Sequence, residues 1–147
     1  MSKLFATLIA VLVLGAISTE AFACTQVVPG FRAEPGVNYS VVVGYIDNQV
    51  AISINGVVLP PVPGNGPANV NQSLSEFLNS GTNSLVIVGI NAAYQGGHDP
   101  NPALVQYVIR RNTAPTSDVV NVTCTGPDNR TGSAQQFFEH TYSITLP

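Results

Sequence analysis

Apolar and polar residues alternate through much of the chain. In Tyr39-Ser40-Val41-Val42-Val43-Gly44-Tyr45, the residues Tyr39, Val41, Val43 and Tyr45 share one face, the period-two signature of a half-buried strand. Val50, Ile52 and Ile54 alternate with Ala51 and Ser53 in the same way, and Asn55-Gly56 then precedes Val57-Val58-Leu59. An Asn-Gly pair between alternating runs predicts a two-residue hairpin, because both residues tolerate the positive φ of a type I′ turn. Pro60, Pro61, Pro63 and Pro67, with Gly64 and Gly66, interrupt pairing next, so residues 60–71 read as a surface loop.

Ser73 with Glu76 three residues on forms a capping box, and Leu74, Phe77 and Leu78 share a face. Together they predict one or two helical turns over 73–80, ended by Gly81. Leu85-Val86-Ile87-Val88-Gly89-Ile90 is apolar throughout, the pattern of a central strand covered on both faces. After a loop at 92–102, strands are predicted at 103–110, 117–124 and 136–146. In the last, Phe138, His140, Tyr142, Ile144 and Leu146 take one parity, which makes His140 a packed core histidine. Seven or eight short strands around one helical turn predict an all-β fold: a two-sheet antiparallel β-sandwich of jelly-roll type with one short helix.

The start of the chain follows a different rule. Lys3 precedes the apolar run 4–16, polar Ser18, Thr19 and Glu20 follow, and Ala21-Phe22-Ala23 offers a signal-peptidase site. This reads as a secretory signal over 1–23, leaving a single domain over 24–147 and a secreted or periplasmic location. The run is too short to span a bilayer, so no stable membrane insertion is expected once the signal is removed. Cleavage there puts Cys24 at the new N-terminus. A lipid anchor on Cys24 is one reading, although Ala21 and Phe22 do not fit a lipoprotein signal. A Cys24–Cys124 disulfide is the favoured reading, because lipidation would strand Cys124 as an odd thiol.

Charge narrows the functions further. Only 9% of the chain is charged and the formal net charge is −3. After signal removal Arg32, Arg110, Arg111 and Arg130 are the only basic side chains left, so nucleic acid and anionic lipid are excluded as partners. Two cysteines and two histidines exclude a structural zinc module. No cofactor is expected. Calcium has conceivable ligands in Asp47, Asn48, Asp99 and Asn101, but two carboxylates without Asp-x-Asp spacing are few for that ion. Four Asn-x-Ser/Thr triplets begin at Asn38, Asn71, Asn121 and Asn129 and matter only in a eukaryotic host. No nucleophile elbow, metal-binding histidine pair or phosphate loop occurs, and the chain reads as a non-enzyme.

The run from Asp47 through Ile54 into Asn55-Gly56, then Leu74 to Leu78 and Gly81-Thr82-Asn83 leading into an apolar strand, resembles the galactose-binding-like jelly-roll domains. Those domains are familiar as carbohydrate-binding modules and as accessory domains of glycosidases. Asp47, Asn55, Gly56, Gly81 and Asn83 match the pattern, and the resemblance covers residues 38–110. It implies a jelly-roll fold and a binding role, with carbohydrate as the ligand class. The chain has no tryptophan, the usual stacking platform of such modules.

The stretch Asn91-Ala92-Ala93-Tyr94-Gln95-Gly96-Gly97-His98-Asp99-Pro100-Asn101 brings an aromatic, an imidazole, a carboxylate and amides onto one connector. A sugar needs a flat apolar surface and planar polar groups for its hydroxyls. Tyr94, His98, Asp99, Asn101, Asn91 and Asp47 are therefore the candidate ligand-binding residues. The expected function is a secreted or periplasmic non-catalytic domain that recognises carbohydrate through loops at one end of the sandwich. The alternative is a structural or protein-interaction protein of the cell envelope, either a surface-assembly subunit or an inhibitor of an exported enzyme.

Overall fold

The structure is a computed structural model that describes residues 23–25, 29–91, 102–128 and 133–147. Its described residues form nine strands: β1 (Ala23–Cys24), β2 (Gly30–Arg32), β3 (Tyr39–Ile54), β4 (Val57–Val58), β5 (Val62–Ser73), β6 (Gly81–Asn91), β7 (Pro102–Arg111), β8 (Ser117–Asp128) and β9 (Gln135–Leu146). The all-β class expected from the alternation is what the chain adopts.

β3 organises everything else. Its first half pairs with β7, from Tyr39↔Arg111 to Ile46↔Val105, and its second half pairs with β6, from Gln49↔Ile90 to Ile54↔Leu85. One layer is therefore β1-β8-β7-β3 and the other β3-β6-β9-β2. A strand that bends at a bulge and serves both sheets is one way a sandwich turns its corner. All pairings are antiparallel except β2 with β9, which runs parallel.

This corrects the reading of 39–45 and 50–54 as separate strands. The register slips between Val43 and Tyr45, around Gly44. Tyr39, Val41 and Val43 are buried before the slip, and Ile46, Val50, Ile52 and Ile54 after it. Tyr45 consequently leaves the core. The change from odd to even apolar positions marks a bulge within one strand, not a turn.

A second correction concerns residues 60–71. They are not a surface loop but most of β5, paired with β3 from Val50↔Val62 to Ser40↔Ser73. The prolines fit because β5 pairs only with β3 among the described residues, and an edge strand has one side whose N–H groups bond nothing. Asn69, with φ of 50°, supplies the left-handed residue where this ladder meets the Gly44 irregularity.

The helix expected at 73–80 shrinks to a single 3-10 turn, Ser75–Phe77, and no side chain caps it. Ser73 instead ends β5. Tertiary contacts hold the turn: Leu74 is fully buried and its N–H donates to the Tyr39 carbonyl at 2.9 Å, while the Tyr39 N–H donates to Ser75 Oγ at 2.9 Å. The Asn55-Gly56 hairpin forms as expected, with φ of 51° and 80°.

The core lies between the layers. β6 runs between β3 and β9, with Leu85 and Ile87 buried and Val86, Val88 and Ile90 half-buried, so it is covered fully on one face and partly on the other. On β9 the expected parity holds for Phe138, Tyr142 and Ile144, which are buried, while a second slip opposite Gly89 and Ile90 also turns Phe137 inward.

The turn residues form one knot. Asn83, 1% exposed, donates to the carbonyls of Asn79 (2.8 Å), Gly81 (3.2 Å) and Ile144 (3.2 Å). Its Oδ1 accepts from the Asn79 N–H and from Asn55 Nδ2, both at 2.8 Å, and Asn55 Oδ1 accepts from the Ser84 N–H at 3.0 Å. Asn55 and Asn83 thus tie the hairpin tip, the end of the 3-10 turn and β9 together.

Candidate functional site

Tyr94, His98, Asp99 and Asn101 lie outside the described residues, as do residues 1–22 of the expected export segment. Ala23 pairs with Thr125. Asp47 and Asn91 are described, and topology brings them to one place. β3 leaves β7 after Ile46 and takes up β6 at Gln49, so Asp47 sits at the junction where β6 ends at Asn91 and β7 begins at Pro102. Residues 92–101 join those two strand ends. Asn91 is 1% exposed and engaged within the fold. Asp47 is half-buried, and desolvation pushes its carboxyl above the ordinary carboxylate range.

The described residues also carry a surface that the sequence reading missed. A concavity of about 400 Å³ opens on the outer face of the first layer, lined by Val42 and Gly44 of β3, Asn69 of β5, Gln106, Tyr107, Val108 and Arg110 of β7, and Asn121 and Thr123 of β8. Register explains the grouping. Val42 faces Val108, Val108 faces Asn121, and Gln106 faces Thr123 across adjacent strands. The floor is aliphatic, and the rim is amide and hydroxyl with the Arg110 guanidinium at one end. At Gly44 no atom lies within 4 Å of where a Cβ would stand, so the bulge leaves the floor open. Arg110 Nε donates to Asp118 Oδ1 at 2.6 Å, and that carboxylate holds the guanidinium above its ordinary range. Parity along β7 could have given Gln106, Val108 and Arg110 as the outward row, since Val105, Tyr107 and Ile109 are the inward one. Their neighbours on β3 and β8 required the register.

The inner side of the same layer holds a polar cluster. Tyr107 Oη lies 2.7 Å from His140 Nδ1 and 2.5 Å from Tyr142 Oη. Burial raises the pKa of both phenols, and Tyr107 is raised further by its bond to Tyr142. Burial lowers the pKa of His140, which packs among Phe138, Tyr107 and Tyr142. Cys24 and Cys124, directly opposite each other on β1 and β8, form the expected disulfide.

Compared with known proteins, the chain matches no family model, no curated protein and no solved structure. Among the described residues no helix is long and apolar enough to cross a membrane. The disulfide on an all-β fold is compatible with an extracytoplasmic location.

Proposed function

We propose that this chain is a secreted or periplasmic, non-catalytic binding domain that recognises carbohydrate. The observation that carries the reading is the outer concavity, where an aliphatic floor of Val42, Gly44 and Val108 is rimmed by the amides of Asn69, Gln106 and Asn121 and the Thr123 hydroxyl. A pyranose presents one face of C–H groups and a girdle of hydroxyls. Such a ligand matches apolar contact below and planar amide donors and acceptors around it. The rim holds no carboxylate or imidazole among its lining residues, which suits binding better than acid–base chemistry. The amino-terminal signal pattern supplies the route to the compartment.

Two variants locate the activity on a glycan array. Gly44→Tyr, at a position where a Cβ has no atom within 4 Å, puts a ring over the floor and abolishes binding if the concavity is the site. Tyr94→Ala with Asp99→Ala abolishes it if the 92–101 connector is the site. An array on which the wild-type chain is silent overturns the reading.

A protein-interaction role is the second reading, and Val57 and Val58 favour it. They stand 48% and 74% exposed at the hairpin tip. A persistent oligomer in size-exclusion mass measurement, without any sugar-dependent thermal shift, decides for it.

A further inference from the structure

We propose that the Cys24–Cys124 disulfide, once reduced by an external dithiol, opens into a three-ligand site for a thiophilic divalent cation, with His140 as the third ligand. Ligand atoms of Cys24, Cys124 and His140 all lie within 4.8 Å of one another. They come from three strands: β1 and β8 present the sulfurs side by side, and β9 brings the imidazole across from the other layer. Around a zinc ion, sulfurs at about 2.3 Å and a nitrogen at about 2.0–2.1 Å stand roughly 3.5–3.8 Å from each other. Once the disulfide is reduced, the two sulfurs must part to that spacing, and the imidazole starts from within 4.8 Å of them.

The imidazole is prepared for the task. His140 Nδ1 is engaged by Tyr107 Oη at 2.7 Å, which leaves Nε2 as the nitrogen to offer a metal ion. A hydrogen bond from the non-ligating nitrogen fixes the tautomer and ring orientation of a ligand histidine.

The chemistry balances. The dithiol gives two electrons and two protons to the disulfide and closes into a disulfide of its own. The two cysteine thiols then release two protons to solvent as the cation binds, so that two thiolates neutralise its charge. Two thiolates with an imidazole suit a borderline-soft divalent ion such as zinc. Three protein ligands leave the fourth position to water, so this is not the closed four-ligand module that the composition excludes. Cys24 and His140 are half-buried, while Cys124 is fully buried. The site faces the core and does not depend on the sugar-binding reading.

The test uses the purified chain, reduced with excess dithiol that is then removed without oxygen, and titrated with zinc ion against a chromophoric chelator. One zinc per reduced chain is expected, and none on the oxidised chain. His140→Ala and Tyr107→Phe should each weaken binding by roughly 10- to 100-fold, with β-type circular dichroism retained. The proposal is overturned if reduced and oxidised chains bind zinc alike, or if His140→Ala binds as tightly as the wild type. Zinc binding by a reduced chain that has lost its β spectrum overturns it equally, because loose thiols would then be the ligands.

Discussion

Asn83 shows why a turn motif resembles a functional one. Its amide is buried, and its oxygen and nitrogen each serve more than one backbone group. Asn83→Ala leaves those groups buried without partners and should cost about 2–3 kcal/mol. Urea unfolding would show this as a lower midpoint with an unchanged slope. Four of the five residues behind the galactose-binding-like resemblance (Asn55, Gly56, Gly81 and Asn83) therefore lie at turns or in the knot that ties them. Asp47, the fifth, behaves differently. Its carboxyl is raised by burial, so its contribution to stability is present below the unfolded-state pKa and is lost as pH rises through the folded-state value. Asp47→Asn should accordingly gain on the wild type in melting temperature over a pH window that opens near the ordinary carboxylate value of about 4. A constant difference across that window would show that desolvation of Asp47 is not what sets it.

At the scale of elements, bulges decide which side chains reach the core. Gly89 lies opposite the β9 slip, and a Cβ there would stand 2.1 Å from Phe138 Cε1 and 2.8 Å from Phe137 Cε1. Gly89→Ala should cost about 1–3 kcal/mol by overpacking, and Phe138→Leu on the same chain should recover part of it, measured as a double-mutant cycle. The strands themselves were legible in the sequence: alternation located β3 and β9, an unbroken apolar run located β6, and Asn-Gly located the hairpin. The bulges were not. Odd-to-even switching between Val43 and Ile46 is visible, but with Asp47-Asn48 beside it the pattern fits a turn as well as a bulge. β5 was hidden because proline opposes pairing in general and is harmless only on an edge, a position that sequence does not state. The 3-10 turn was overcalled because its capping serine is claimed by β5. For the site, outward parity on β7 was readable, whereas its alignment with Val42, Asn121 and Thr123 depended on register across three strands.

At the scale of the whole molecule, the disulfide spans a sequence separation of 100 residues. Replacing both cysteines, Cys24→Ala with Cys124→Ala, should lower stability by about 2–5 kcal/mol, read as a fall in melting temperature with the β spectrum kept. A variant as stable as the wild type would mean that β1 is held by other contacts. The single β3 has a further consequence. Each layer owns only half of that strand, so neither layer is a module in its own right. Severing the chain within β3 would remove a wall from both, and evolution or engineering could shuffle this domain only as an indivisible piece.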